Sequence, residues 1–334
     1  MFRRLIPLVA VVAMVGAACG SGDSDDSRPP ATQTTTSVPR TTSTEPQEPT
    51  TTTEAVDGGF PVAIDAPNGM VRIESKPERV VSISPTSTEV LFAIGAGEQV
   101  IAVDSMSNFP TNAPVTDLSA FTPSVEAIAS FEPDLVFLSF DPGDIVAGLE
   151  AIGIPVILHG TALSVDDAYA QWEQTGAATG HFAEAVGLVA DTVVNMETEF
   201  DSLPEQEVAM SYYYELDPTL YSVTSATFIG ELLGPSGMMN IADAGDPDGS
   251  GYPQLNAEYI IASDPTLILL ADTKCCGASG ETVAERPGWD TLTAVVDDSV
   301  VELDDDIASR WGPRIAELVM DVVEAMLELE PSNA

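Results

Sequence analysis

Ser124 to Ser139 reads SVEAIASFEPDLVFLS, and Asn256 to Ala271 reads NAEYIIASDPTLILLA. In each copy a residue suited to capping a helix, Ser124 or Asn256, stands two positions before a glutamate, Glu126 or Glu258. A proline follows each glutamate by seven positions (Pro133, Pro265), and four apolar residues come next: Leu135 to Leu138 and Leu267 to Leu270. The pattern predicts, twice, a short helix with an acid in its first turn, a proline-marked turn and a buried strand. The copies lie 132 residues apart, too far for a solenoid repeat. Two lobes of one α/β protein, each offering a carboxylate at an equivalent place, account for the spacing. The competing reading is chance likeness between two common helix–turn–strand units.

Working outward, Phe60 to Ile73 alternates loosely, and Asn68-Gly69 signals a hairpin. Lys76-Pro77 interrupts before a strand over Val80–Ile83 that stops at Pro85. A helix is expected from Thr86 or Ser87 through Ile94, ended by Gly95-Ala96-Gly97, and then a strand over Val100–Val103, which completes a βαβ unit. From Val165 to Leu203 few breakers interrupt a helical apolar spacing that includes Phe182, Val186, Val189, Val193, Met196 and Phe200. Beyond Pro204, strands are expected at Met210–Tyr214 and Leu220–Val223, Gly230–Gly234 is expected within a helix that stops near Pro235, and an apolar closing helix is expected over Pro313–Leu329.

The chain has 334 residues with 53 acids against 11 Lys and Arg, a formal charge of −42. Such a surface repels phosphate backbones and excludes nucleic acid as a partner. Apolar content of 44% is enough for substantial cores; three cysteines give no disulfide framework, and two histidines argue against an imidazole metal site. Arg3 and Arg4 precede an apolar run from Leu5 to Val15 and then Gly16-Ala17-Ala18-Cys19, a secretory signal too short to span a bilayer. Ala-Ala-Cys resembles a bacterial lipobox, which predicts lipidation at Cys19, although Gly16 stands where leucine is usual; ordinary signal cleavage is the alternative. Residues 20–58 are Ser, Thr, Pro and acids with almost no large apolar side chain, a composition that predicts a disordered tether.

ERVVSISPTSTEVLFAIGAGEQVIAV, TPSVEAIASFEPDLVFLS, AIGIPVI, TSATFIGELLG, GYPQLNAEYIIASDPTLILL, RPGWDTLTAVVDDSVVELD and SRWGPRI together resemble, in order, the substrate-binding proteins of bacterial iron-siderophore, haem and vitamin B12 importers. The resemblance runs from Phe60 to Leu327. It implies an α/β fold of two Rossmann-like lobes, residues 59–163 and 204–334, joined by a long interdomain helix over 164–203. It also implies a lipid-anchored monomer on the outer face of the cytoplasmic membrane that binds a metal chelate, uses no cofactor, catalyses nothing and serves an ABC permease dimer. In such proteins glutamates at the positions of Glu126 and Glu258 dock onto permease arginines. Helix-dipole complementarity is the plainer account of both.

From the same pattern, Ser84, Met106, Phe121, Phe140, Tyr221, Tyr252, Arg310 and Trp311 are expected to face a ligand between the lobes. Arg310 either meets oxygens of a ferric chelate or pairs with Asp304, Asp305 or Asp306. The aromatics either stack on a chelate or pack the lobe interface. Adjacent Cys275-Cys276 suggest a vicinal disulfide, with soft-metal thiols as the alternative, and Lys274 beside them reaches the cleft or is a solvated loop charge. A ferric siderophore leads as ligand, because FPVAIDAPNGMVRIESKPERVV looks more like the siderophore members; haem and cobalamin follow. A hydrolase or a sensor lipoprotein is the rival class. No G-x-S-x-G elbow, P-loop or G-x-G-x-x-G is present to support an enzyme.

Overall fold

The protein is described by a computed structural model at residues 59–204 and 209–329. The expected signal segment, Cys19 and the tether lie outside these residues.

The hairpin pairs β1 (Val62–Ala66) with β2 (Gly69–Ile73), antiparallel from Val62 opposite Ile73 to Ala66 opposite Gly69. Ile64, Ala66, Val71 and Ile73 share its buried face, as a period of two requires. Asn68 in the turn also reaches the first lobe: its amide donates to Val156 O at 3.0 Å, and its side-chain oxygen accepts from Leu158 N at 3.1 Å.

Two four-stranded parallel sheets follow. The first contains β3 (Val80–Ile83), β4 (Val100–Val103), β5 (Leu135–Leu138) and β6 (Val156–Leu158), in the spatial order β4-β3-β5-β6. The second contains β7 (Ser211–Glu215), β8 (Met239–Asn240), β9 (Leu267–Leu270) and β10 (Val300–Glu302), in the order β8-β7-β9-β10. The connectivity is the same in both. The two copies of the repeated sequence fill the same place, the helix before the third strand and that strand itself. Their apolar runs are unbroken because both faces of each sheet are covered, and all eight residues are fully buried.

On the inner faces, Leu135 and Phe137 of β5 and Leu267 and Leu269 of β9 belong to one continuous apolar cluster. Trp172 and the Val319, Val322 and Val323 stripe of helix Ile315–Leu329 complete it. Separate clusters cover the outer faces. The lobes therefore share a core, which restrains their relative motion.

The expected continuous helix between the lobes is divided. One helix runs Val165–Thr179 and a second Phe182–Asp201, and they pack on each other. Gly180 ends the first at φ +74, a left-handed conformation that favours glycine. Gly176 permits the close return, since a Cβ there would lie 2.5 Å from that of Ala185. The helix before β4 begins at Pro85 with Ser84 as its cap, one or two residues earlier than expected. Leu220–Val223 is not a sheet strand. It forms an irregular ladder with the segment 251–255: Ser222 N donates to Pro253 O at 2.9 Å, Thr224 N to Gly251 O at 2.9 Å, and Leu255 N to Leu220 O at 3.0 Å.

Candidate functional site

In a parallel sheet every loop after a strand leaves the same edge, and ligands gather there. At the carboxyl edge of the first sheet stand Ser84 after β3, Met106 after β4, Phe140 after β5, and Phe121 in the stretch leading to the next helix. At the corresponding edge of the second stand the Tyr221 and Tyr252 ladder, Asp272 after β9 and Arg310-Trp311 after β10. The two edges touch at one corner. Asn108 Nδ2 donates to Asp306 Oδ2 at 3.0 Å, and Arg310 donates to Asn108 Oδ1 and to Met106 O, both at 3.0 Å.

The aromatic candidates other than Trp311 are exposed. Phe121 and Phe140 are 69% and 40% exposed, with ring centres 6.0 Å apart. Tyr221 and Tyr252 are 40% and 48% exposed, and the ladder brings their segments together. Met106 is half exposed. Such side chains at strand ends, open to solvent, form a surface ready to be covered.

Three other candidates are engaged within the protein. Ser84 is buried, and its Oγ accepts Ser87 N at 3.2 Å as a helix cap. Trp311 is partly buried; its indole donates to Gln171 Oε1 at 2.8 Å and its carbonyl accepts Trp172 Nε1 at 2.9 Å. Arg310 is buried between two carboxylates, Glu89 Oε1 at 2.8 Å and Asp306 Oδ1 at 2.6 Å. Arg314 adds a second guanidinium to Glu89, at 2.6 and 2.9 Å. Of the two readings of Arg310, the structure has the ion pair, and its charge is matched without a ligand. Burial alone would raise the Asp306 carboxyl, but Asn108, Lys274 and Arg310 together bring it below the ordinary range.

Glu126 and Glu258 are both exposed and sit second in helices Val125–Ala129 and Ala257–Ser263. Ser124 Oγ caps the first by accepting Ala127 N at 3.3 Å, and Asn256 Oδ1 caps the second by accepting Tyr259 N at 2.9 Å. A crossover helix runs back along its sheet, so both glutamates stand at carboxyl edges, one per lobe. The Glu126 backbone N–H and the Ser124 hydroxyl hold the Glu126 carboxyl below its ordinary value.

A polar cluster beneath the second sheet's edge escaped the sequence reading. Glu215, at the end of β7, is wholly buried and receives both Arg286 guanidinium nitrogens at 2.6 Å. Arg286 also lies 4.6 Å over the Trp289 ring. Asp272 is buried beside this pair with neither carboxyl oxygen hydrogen-bonded. The readable signal was an acid at the end of each continuously buried run, Glu215 after Tyr214 and Asp272 just beyond Leu270. Cys275 and Cys276 are joined as a vicinal disulfide within the short helix Thr273–Cys276. Lys274 pairs with Asp304, and with Asp306 at 3.0 Å.

Two like lobes with facing carboxyl edges and open aromatic loops make a binding protein of the two-lobed α/β class. The chain belongs to the periplasmic binding protein family, whose pattern matches residues 80–307. It is 29% identical over 281 residues to an uncharacterised ABC transporter substrate-binding lipoprotein of Bacillus subtilis, covering 80% of this chain and 86% of that one. It is 29% identical over 270 residues to a cobalamin-binding protein of Halobacterium salinarum, covering 77% and 72%. A solved structure from Staphylococcus epidermidis, described as a possible iron-binding periplasmic solute-binding protein, superposes with a TM-score of 0.66 at 25% identity, covering 75% of this chain and 99% of that one. Among the described residues no helix is long and apolar enough to cross a membrane.

Proposed function

We propose that this protein captures a bulky metal chelate of low net charge between its lobes and hands it to an ABC permease dimer, held at the membrane by a lipid on Cys19. The carrying observation is the contrast between the open aromatic side chains of Phe121, Phe140, Tyr221 and Tyr252 and the fully paired Arg310. Aromatic rings receive apolar or macrocyclic surface well. An anionic ligand would have to compete with Glu89 and Asp306 for the guanidinium. This weighs toward a corrinoid such as cobalamin, in keeping with the Halobacterium relative, ahead of the ferric siderophore that a free Arg310 would favour. A ferric siderophore is the second reading, supported by the iron-binding description of the Staphylococcus structure. Glu126 and Glu258, one per lobe and exposed, are the proposed contacts to permease arginines.

Thermal unfolding of the secreted protein with cyanocobalamin, a ferric hydroxamate and haemin tests the reading. A ligand at about 100 times its dissociation constant adds about 2.7 kcal/mol. Cyanocobalamin should raise the melting temperature, and Phe121→Ala should abolish the rise without lowering the melting temperature of the free protein. A rise with the hydroxamate alone transfers the assignment to siderophores, and no rise with any of the three rejects the class.

A further inference from the structure

The corner where the lobes meet continues, bond by bond, to the disulfide. Helix Thr273–Cys276 has only four residues, too few to hold a helical turn by its own hydrogen bonds. Its residues from Lys274 to Cys276 are exposed, so packing supplies little. Two things hold it. One is the Sγ–Sγ bond, which closes a ring through both side chains and the peptide between them. The other is Asp305, whose carboxylate accepts Thr273 Oγ1 at 2.8 Å, Lys274 N at 3.0 Å and Cys275 N at 2.8 Å. The helix in turn places Lys274 Nζ between Asp304 and Asp306. Asp306 accepts Asn108 Nδ2 and Arg310 Nη2, and Arg310 Nη1 donates to Glu89. Asn108 and Glu89 belong to the first lobe. A single strap thus runs from the disulfide through Lys274, Asp306 and Arg310 to the opposite lobe.

We propose that Cys275–Cys276 is a redox-controlled brace on this strap, which keeps the lobe corner closed while oxidised and loosens it when reduced, weakening solute capture. The reductant is a dithiol. It supplies two electrons and two protons, the Sγ–Sγ bond breaks, two cysteine thiols form, and the dithiol closes into its own disulfide. The loop then loses one of these two restraints and keeps only the Asp305 contacts, so Lys274 is held less firmly between the two aspartates. Loosening a pre-organised pair of lobes adds an ordering cost to binding. The effect on capture rests on the solute-binding reading above, whereas the effect on the corner does not.

Hydrogen exchange of the full secreted protein, with and without dithiothreitol, separates the two. Reduction should speed exchange at least about threefold in residues 272–279 and also in residues 85–93 and 104–110 of the first lobe. The Cys275→Ser/Cys276→Ser variant should show the fast pattern without reductant and no response to it. Lys274→Met should show fast exchange in the first-lobe segments whether or not the disulfide is intact, which identifies the strap as the route. Faster exchange confined to 272–279 overturns the brace. Equilibrium binding of cyanocobalamin and of a ferric hydroxamate should weaken at least about threefold on reduction. Equal affinity in both redox states, with a loosened corner, overturns control of capture. If neither probe binds either form, the solute reading fails while the exchange data still decide the brace.

Discussion

Glu89 accepts Arg310 Nη1 at 2.8 Å across 221 positions of sequence, joining the helix after the first sheet's leading strand to the loop after the last strand of the second. The carboxylate is 3% exposed and also holds Arg314. Glu89→Gln leaves two guanidinium groups near a neutral amide in a buried site. Breaking a buried pair from one side commonly costs about 3–5 kcal/mol. Urea unfolding should show a loss of that order, and a loss below about 1 kcal/mol would mean the network is solvated rather than buried.

Arg286 faces two buried acids, Glu215 by a double hydrogen bond and Asp272 by charge alone. Arg286→Met should therefore destabilise by about 3–5 kcal/mol, because it strands the Glu215 carboxylate. The double change Glu215→Gln/Arg286→Met should recover much of the loss, since an uncharged pair of similar shape removes the stranded ion. Chemical unfolding of the two variants side by side checks the coupling.

Burial pushes the Asp272 carboxyl from 3.8 up to about 6, and Glu215 adds to the rise. The folded state then binds its proton more tightly than the unfolded state. Asp272 is best tolerated below pH 4, and its contribution to stability falls as pH rises from about 4 to about 6, with the full cost present at neutral pH. Asp272→Asn should stabilise the protein at pH 7.5 by about 1–3 kcal/mol and give almost nothing at pH 4. Unfolding midpoints of both proteins at the two pH values provide the test; a gain independent of pH would exclude titration of Asp272 as its source.

Glu126→Gln and Glu258→Gln alter exposed side chains with no salt-bridge partner among the described residues. Solute affinity and fold should stay close to those of the parent protein. Uptake in cells should fall roughly tenfold or more for the double variant, and less for either single one, when each glutamate grips its own permease subunit. Normal uptake by the double variant would remove both residues from the docking surface, and lost solute binding would move them into the cleft.

Local chemistry made much of the fold legible in the residues themselves. A cap, an early acid, a proline and a four-residue apolar run recur at Ser124 and Asn256, and each feature acts within a few residues of chain. The aromatic positions came from the family resemblance rather than from local chemistry: Phe140 closely follows a buried strand, whereas Phe121, Tyr221 and Tyr252 lie well beyond the strands before them. Arg310 was legible only as a choice between two partnerships, one of which the fold adopts. The break at Gly180 was missed because the apolar period continues across it, and only the close return of Ala185 on Gly176 demands the turn.

By itself, then, the sequence determined two like α/β units with apolar strands covered on both faces and an acid at the same place in each, because propensity, capping and periodicity are short-range. The tertiary structure alone decided that Arg310 answers Glu89 and Asp306, that Asp272 is shut in without a partner, and that Lys274 links the disulfide to the opposite lobe. Those outcomes depend on which carboxyl-edge loops meet when two sheets share one core. In a chain with 53 acids and 11 Lys and Arg residues, many acids are open to each cation, and only packing in three dimensions selects among them.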